Sequence, residues 1–548
     1  MKLDMMLLSP LSKVMADRRP SGVLNEKGIQ GFLNETQSFQ IALHTPEPRG
    51  GIVKVALDSP IQEAITLRRV RLVPVELAAF MDADDNYISK MPGLYPDLLA
   101  PVGEEVPMYP GQWTSLWVDV EPEGKLKAGR YPIRISASDL EGQLLEERTV
   151  EVEILNASLP KQKLIHTKWF HTDCLANYYH EEAFSERHWQ IIEAFIQTAV
   201  RRGINMILTP IHTPPLDTQV GGERLTTQLV DVYVNDGKYS FGFDKLLRWI
   251  DICKRAGVEY YEMAHLFTQW GALYTPKIMA TVDGEYKRIF GWDVSATSEE
   301  YKAFVAEYLP ALRAVLRSQG IEQQSYFHIS DEPSEEHIEN YKVARNVVAP
   351  YLEGCIIMDA LSEYKFYESG VVTKPVPANN VIEPFLEHKV PGLWTYYCIG
   401  QYKDVSNLFV SMPSARARIF AEQLYKYHIE GILQWGYNFY NSQFSRYPVD
   451  PFAHTDADGF TPAGDAFQVY PGPDGKPMES IRLMVIWHMI QDLRAFEMLE
   501  ELTSHEYVMS IIEDGLDAPI TFSRYPRSDG YILGLRARVN QEIMSRMG

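Results

Sequence analysis

The sequence is poor in three features that would each assign a chain to a common class of protein. It has 4 cysteines in 548 residues, and Cys174, Cys253, Cys355 and Cys398 lie far apart without a CxxC pair. This argues against a disulfide framework and favours reduced cysteines in a core. No apolar run is long enough to span a bilayer, and the N-terminus does not resemble a secretion signal. We therefore expect a cytoplasmic protein with no membrane partner.

Blocks of lysine or arginine are also missing. The formal net charge is −21 at pH 7, which argues against nucleic acid or an anionic membrane as a partner. The sequence has no HExxH, facial-triad or paired-cysteine spacing and no GxSxG elbow, so it indicates no metal, no cofactor and no serine nucleophile. A neutral or cationic small molecule stays open as the substrate, and a homo-oligomer is not excluded.

Aromatic residues, in contrast, are plentiful. The chain has 31 Tyr and 10 Trp, and most of them are expected to fill a large core. Flat rings also form the platforms on which proteins bind sugars. The length predicts two to four domains, each with a core of its own.

Residues 1–158 are predicted to form a β-sandwich domain. Short β-branched or aromatic segments are separated by Gly, Pro and Asn, with little helical periodicity. Examples are Phe39–Leu43, Ile52–Leu57 and Trp113–Val120. The Pro- and Gly-rich stretch 91–112 is expected to be a long loop that reaches toward the second domain.

Beyond residue 158 the pattern changes to strands and helices in alternation. Eight such units over residues 159–500 predict an α/β fold with a (β/α)8 barrel of the TIM type. An open doubly wound sheet is the alternative, but it would need a Gly-rich phosphate loop after an early strand, and none is present. Residues 501–548 are predicted to be a short extension packed on the barrel. The predicted strands are Leu164–Phe170, Ile204–Leu208, Val258–Met263, Ser325–Ser330, Cys355–Met358, Val371–Lys374, Leu393–Tyr397 and Ile432–Trp435.

In such a barrel the polar residues that follow the strands meet at one mouth, where barrel enzymes do their chemistry. The insertions 211–242, 265–297 and 437–478 all follow strands, so we expect them at the same mouth. Acids, phenols and an indole in a common cleft are typical of a sugar site. Single histidines there are more often structural, and His212 and His265 are interpreted in that way. The predicted substrate-binding residues are His171, Asp173, Asp359, Tyr396, Tyr397, Trp435, Tyr437 and Asn438.

The fourth predicted strand ends in two adjacent carboxylates, Asp331 and Glu332, followed by Pro333. Capping of the next helix explains Asp331 equally well, but it does not explain Glu332. Most glycosidases place two carboxylates on opposite sides of the scissile bond, which consecutive residues cannot easily do. Two consecutive carboxylates can both act on one face of a 2-acetamido sugar, in which the sugar's own acetamide oxygen attacks the anomeric carbon. Asp331 would then orient the acetamide, and Glu332, with a pKa raised by burial and by its neighbour, would be the general acid.

Four segments resemble glycoside hydrolase family 123: His328–Pro333, Leu433–Ser442, Gly464–Gly472 and Ser480–Arg494. The resemblance implies a retaining exo-hydrolase of β-linked N-acetylgalactosamine that forms an oxazoline intermediate, with Asp331 and Glu332 as the catalytic residues. The implied substrate is an oligosaccharide or glycoconjugate. Two alternatives stay open: a two-carboxylate β-glycosidase with Asp359 or Glu383 as nucleophile, and a carbohydrate-binding protein without catalytic activity.

Overall fold

The computed structural model describes residues 1–24 and 28–547. Its N-terminal part is rich in β structure, because segments of β-branched and aromatic residues alternate with turns. Within the described residues up to 155, the strands are β1 (Asp4–Leu8), β2 (Ile29–Phe32), β3 (Gln37–His44), β4 (Gly51–Asp58), β5 (Ile65–Val75), β6 (Gly93–Pro101), β7 (Glu105–Met108), β8 (Trp113–Val120), β9 (Gly129–Ser138) and β10 (Leu144–Leu155).

These strands form two sheets, ordered β1-β3-β8-β5-β6 and β2-β10-β9-β4-β7. Apolar side chains from both sheets meet in one core, which includes Ile41, Val118, Ile135 and Val152. The first sheet is covered on its other face as well, and every residue of β8 is buried as a result. Residues 91–112 are not the long loop that their composition predicts, because most of them belong to β6 and β7.

The second part of the chain contains helices and short strands. Its elements in the described residues are β11 (Ile165–Lys168), α1 (Thr172–Tyr179), α2 (Glu186–Arg201), β12 (Met206–Thr209), β13 (Asp231–Asn235), β14 (Lys238–Gly242), α3 (Asp244–Ala256), β15 (Tyr260–Met263), β16 (Ile278–Val282), β17 (Glu285–Phe290), α4 (Glu299–Ser318), β18 (Ser325–Phe327), α5 (Ile338–Val348), β19 (Ile356–Leu361), α6 (Lys365–Glu368), β20 (Lys374–Pro377), α7 (Glu383–Glu387), β21 (Trp394–Tyr396), α8 (Ser414–Arg418), α9 (Phe420–Lys426), β22 (Gly431–Gln434), β23 (Val469–Pro471), β24 (Pro477–Glu479) and α10 (Ile481–Leu502).

In the described part of the chain, eight parallel strands form one sheet in the order β20-β19-β18-β15-β12-β11-β22-β21. Its two ends approach each other through a parallel bridge between Ala378 and Tyr396, and the N–H of Asn379 donates to the carbonyl of Tyr396 at 2.9 Å. The sheet is thus a nearly closed barrel. The α/β prediction is confirmed at this level: a β-rich N-terminal region next to an eight-stranded parallel barrel.

Two of the predicted insertions combine into a structure of their own. Strands β13 and β14 lie in the insertion 211–242, and β16 and β17 lie in 265–297. They pair as a sheet in the order β14-β13-β16-β17. Because both insertions follow barrel strands, this sheet stands beside the carboxyl-terminal mouth.

The N-terminal sheets, the barrel and the C-terminal helices α11 (His505–Ile512) and α12 (Asp529–Met547) share apolar packing. One continuous core includes Trp117 of β8, Ile486 of α10 and Val539 of α12. The division of the chain at residues 158 and 500 stays a prediction. None of the helices in the described residues has the length and apolar character needed to cross a membrane.

Candidate active site

A cavity of about 410 Å³ opens at the carboxyl ends of the barrel strands. This volume is typical of small-molecule sites, and this end of a parallel barrel is where substrates bind. Among the described residues, three carboxylates line the cavity: Asp217, Asp331 and Glu332. The aromatic rings in its wall are Trp169, Trp270, Tyr396, Trp435, Phe444 and Phe460.

The backbone at Glu332 explains how two consecutive carboxylates reach one cavity. In an extended strand, consecutive side chains point to opposite faces. Strand β18 ends at Phe327, and Glu332 has a left-handed backbone with a φ of 42°. Such a conformation costs about 1–3 kcal/mol and needs support from its surroundings. The carbonyl of Asp331 accepts from the N–H of Trp270 at 3.0 Å, and the N–H of Glu332 donates to the carbonyl of Ala360 at 3.2 Å.

Asp331 does not cap the next helix. The helical turn that precedes α5 begins at Glu335, and Ser334 occupies its N-cap position. The carboxylate of Asp331 is therefore available to the cavity that it lines.

The surroundings favour the protonated form of both carboxyl groups. Burial raises the pKa of Asp331 well above its usual range, and the charge of Glu332 raises it further. Burial also raises the pKa of Glu332, against the effect of a hydrogen bond from Tyr396. The Tyr396 hydroxyl donates to Oε1 of Glu332 at 2.6 Å. Like charges on two neighbouring carboxyl groups cannot easily form together, so ionisation of Glu332 raises the pKa of Asp331.

A buried histidine, His328, lies three residues before Asp331. His328 faces two carboxylates: Nε2 lies 2.7 Å from Glu262, and Nδ1 lies 3.2 Å from Asp359. Burial alone would lower the pKa of His328, but the two hydrogen bonds outweigh it and raise the pKa to about 10. The positive charge of His328 lowers the pKa of Asp331. Glu262 also accepts from the indole N–H of Trp169 at 2.8 Å, which connects this cluster to the cavity wall.

His265, His328 and Asp359 are close enough together to be considered as metal ligands. His265 stacks on His328 with the ring centroids 4.2 Å apart. Both ring nitrogens of His328 already lie within hydrogen-bond distance of a carboxylate, Nε2 of Glu262 and Nδ1 of Asp359, so neither is available to a metal ion. We therefore interpret this cluster as an ion-pair network.

A hydrogen bond to Asp465 holds the indole of Trp435 in position. Its Nε1 donates to Oδ2 of Asp465 at 2.8 Å, and the side chain of Gln434 donates to the carbonyl of Asp465 at 2.7 Å. Burial raises the pKa of Asp465 to about 7. Trp435 thus presents its ring to the cavity on a buried polar support, and Asp465 has a positioning role.

Of the predicted site residues, Asp331, Glu332, Tyr396 and Trp435 line the cavity. The others lie behind its wall. Asp359 sits between Met358 and Ala360, which belong to the apolar core inside the barrel. Its carboxylate is on the opposite side of β19, where it accepts from the N–H of Ile329 and the hydroxyl of Tyr341. Tyr397 follows Tyr396 directly but does not line the cavity. Its hydroxyl accepts a hydrogen bond from Nζ of Lys168 at 3.0 Å.

Four further predicted residues are buried, and one of them, His171, contacts the backbone of Trp435. His171 donates through Nε2 to the carbonyl of Trp435 at 2.8 Å, and burial together with Arg224 lowers the pKa of His171 to about 3. Asp173 forms a buried ion pair with Arg224 at 2.6 Å. Asn438 bonds to the backbone N–H of His171 at 2.8 Å, and the hydroxyl of Tyr437 donates to the carbonyl of Phe195 at 2.9 Å.

Sequence reasoning did not find Glu262, nor the lining residues Trp169, Asp217, Trp270 and Phe444. Glu262 could have been found from the sequence, because it is a carboxylate inside the otherwise uncharged strand β15. Trp169 directly follows β11. The other three lie in the insertions, where no strand pattern fixes their position.

Adjacent acids in an aromatic cavity at the mouth of a parallel barrel define a carbohydrate-processing enzyme of the glycoside hydrolase type. Residues 169–499 match the family described as glycoside hydrolase 123, catalytic domain. This match covers more than half of the chain, which therefore belongs to glycoside hydrolase family 123. The predicted family and enzyme class are confirmed.

Solved structures support the fold. A family 123 glycoside hydrolase from Clostridium perfringens, described in connection with glycolipid glycan hydrolysis, superposes with a TM-score of 0.74 at 14% identity, covering 100% of this chain and 98% of that chain. A β-glucuronidase from Parabacteroides merdae has a TM-score of 0.31 at 10% identity, with 90% of this chain and 52% of that chain covered. No curated protein matches the sequence.

Proposed function

We propose that this glycoside hydrolase is a retaining exo-enzyme that removes β-linked N-acetylhexosamine by substrate-assisted catalysis, with N-acetylgalactosamine as its preferred sugar. The observation that carries the proposal is the left-handed backbone at Glu332, because it lets two consecutive carboxylates face one cavity. Consecutive carboxylates reach one side of a sugar, and this arrangement suits an acetamide nucleophile better than a protein nucleophile.

The proposed reaction assigns one role to each carboxylate. Asp331 accepts the acetamide N–H and stabilises the positive charge that develops on the acetamide, while the acetamide oxygen bonds to the anomeric carbon. Glu332 gives its proton to the glycosidic oxygen as the bond to the leaving group breaks. Water then adds to the anomeric carbon of the oxazolinium ring, Glu332 takes up the proton of the water, and the acetamide re-forms. Two displacements at the same carbon retain its configuration.

The environment of Glu332 supports its role as the general acid. A general acid must be protonated at working pH, and burial raises the pKa of Glu332. Tyr396 holds the carboxyl of Glu332 in place through a 2.6 Å hydrogen bond. The rings of Trp169 and Trp435 supply apolar surface for the sugar. The preference for N-acetylgalactosamine rests on the family resemblance.

An acetamide-mimicking thiazoline tests the mechanism. We expect it to inhibit hydrolysis of an aryl 2-acetamido-β-glycoside competitively, with an affinity at least 100-fold above that of the substrate, as for analogues that resemble the transition state. Matched aryl glycosides with a 2-hydroxyl group should react poorly. If the thiazoline does not bind while a 2-fluoroglycoside labels a protein carboxylate, the mechanism is wrong.

A two-carboxylate glycosidase is the second candidate, because Asp217 also lines the cavity. Asp359 is buried behind the cavity wall, so it is not placed to attack the sugar as a nucleophile. Labelling of Asp217 by a 2-fluoroglycoside would favour this alternative. A binding protein without catalysis would hydrolyse none of these substrates, and Glu332→Gln would leave its affinity for the sugar intact.

A further inference from the structure

We propose that three insertions build a separate subsite for the leaving group, and that this subsite takes a sugar ring against the surface that Trp270 and Phe444 form together. The inference rests on the proposed function, because it assumes a glycosidic bond held at Asp331 and Glu332. The two rings line the cavity and meet edge to face with their centroids 5.7 Å apart.

The position of these rings along the cavity separates them from the sugar that is cleaved off. Trp169 and Tyr396 are almost fully buried at 3% and 4% exposure, so they form the inner end of the cavity. Trp270 is 39% exposed and forms the outer rim. An exo-enzyme places the terminal sugar at the inner end, and the leaving group then extends past the rim.

The rim is rigid. Asp217 connects the first and third insertions, since its Oδ2 accepts from the N–H of Phe444 at 3.0 Å and its carbonyl accepts from the hydroxyl of Ser445 at 2.7 Å. The N–H of Asp217 donates to Oε1 of Gln269 at 2.6 Å, and this bond connects the first insertion to the second. Trp270 follows Gln269 directly, so the three insertions hold one surface together.

The backbone at the rim is also strained. The φ angles are 39° at Asp217, 58° at Trp270 and 60° at Phe444. Residues with bulky side chains rarely adopt positive φ, and such strain concentrates where a site must present a side chain in a fixed orientation. The two bulky residues in this conformation are the two rings that contact each other at the rim.

The rim is joined to the catalytic pair, because the N–H of Trp270 donates to the carbonyl of Asp331 at 3.0 Å. The distance from the rings to the reacting bond is therefore fixed by the backbone. The apolar rings and the polar groups of Gln269 and Asp217 together match a pyranose, which has one apolar face and a hydroxylated edge. A short alkyl leaving group would reach neither ring.

The test compares two substrates of the same N-acetylhexosamine: its methyl β-glycoside and a β-linked disaccharide. The measured quantity is the ratio of kcat/KM for the disaccharide to kcat/KM for the methyl glycoside. Because both substrates are assayed on the same preparation, the fraction of folded enzyme cancels. We expect this ratio to fall about tenfold in Trp270→Ala and in Phe444→Ala, as lost ring stacking predicts. Trp270→Phe keeps a ring and should retain most of the ratio.

Tyr286→Ala is the matched control, because Tyr286 lies in the same insertion, is 63% exposed and is not among the residues that line the cavity. It should leave the ratio and both rates unchanged. A ratio that stays constant in Trp270→Ala and Phe444→Ala overturns the proposed subsite, even if both rates fall. A wild-type enzyme that hydrolyses neither substrate overturns the proposed function itself and the subsite with it.

Discussion

The hydroxyl of Tyr396 donates a 2.6 Å hydrogen bond to the carboxyl group of Glu332. Tyr396 ends strand β21, whereas Glu332 follows β18, so this bond joins two barrel strands that lie far apart in the sheet. It stabilises the charged form of a carboxyl group whose pKa is raised by burial. The bond therefore sets both the position of the proposed general acid and the pH at which it loses its proton.

Tyr396→Phe should shift the pH profile in a defined direction. Without the hydrogen bond the pKa of Glu332 rises, because burial still disfavours the carboxylate while its donor is gone. The proposed acid then stays protonated to higher pH, and the basic limb of kcat/KM should move upward. The maximal rate should fall about tenfold because the carboxyl group is less well placed. Rates measured from pH 4 to 10 would contradict the assignment if the basic limb stayed in place.

Glu332→Gln should affect substrates according to their leaving group. A glutamine cannot donate a proton to the glycosidic oxygen, so kcat on a disaccharide should fall about 10²–10⁴-fold. A dinitrophenyl glycoside needs no protonation and should lose much less. Asp331→Asn is the matched comparison, since loss of acetamide orientation should slow both substrates alike. Equal losses in Glu332→Gln would argue against its role as the acid.

His328→Gln should weaken both the fold and the acid side of the pH profile. The change leaves Glu262 and Asp359 buried without their shared cation, which should cost about 3–5 kcal/mol of the free energy of unfolding. The charge of His328 lowers the pKa of Asp331, so its removal should move the acidic limb of kcat/KM upward. Urea unfolding and pH profiles measure the two effects. The exposed His388, changed to Gln, is the control, and a similar response there would refute a special role.

Two replacements of Asp465 should show whether substrate binding depends on its hydrogen bond to Trp435. In Asp465→Asn the indole of Trp435 can still donate to an oxygen, so we expect kcat/KM to stay within about threefold. Asp465→Leu leaves that donor unpaired and should raise KM about tenfold with little change in kcat. Initial rates over a range of substrate concentrations make this distinction. A larger effect on kcat than on KM would mean that Asp465 affects the chemical step and not the position of Trp435 in the cavity wall.

Asp97→Asn should loosen the contact between the N-terminal sheets and the barrel. Asp97 of β6 forms a buried two-point ion pair with Arg482 of α10, with N–O distances of 2.8 and 2.9 Å. Burial opposes its charge, but Arg482 outweighs burial and holds the pKa of Asp97 below its usual range. Loss of the pair should cost about 3–5 kcal/mol at pH 7.

The pH dependence of that loss follows from the sign of the shift. A depressed folded-state pKa contributes stability above the unfolded pKa of about 3.9, and this contribution disappears as the pH falls through the folded value. The difference between wild type and Asp97→Asn in urea unfolding should therefore be full at pH 7 and shrink below about pH 4. Asp85→Asn, at a fully exposed side chain, should change little at either pH. A difference that does not depend on pH would contradict the ion-pair explanation.

The sequence by itself determined the features that depend on short stretches of chain. Eight strands in a regular pattern predict a parallel barrel, and a carboxylate pair directly after an apolar strand predicts residues at its mouth. Asp331, Glu332, Tyr396 and Trp435 could be found in this way, since each lies at or just beyond a strand end. Four motifs in a fixed order indicated the family.

Only the tertiary structure decided which side of the wall each residue occupies. One residue of register separates Asp359 and Tyr397 from the cavity, because neighbouring side chains of a strand face opposite ways. The rim of Asp217, Trp270 and Phe444 depends on contacts between insertions that are far apart in the chain. No local pattern encodes such contacts, because their stability comes from burial and hydrogen bonds that exist only after the barrel has brought the insertions together.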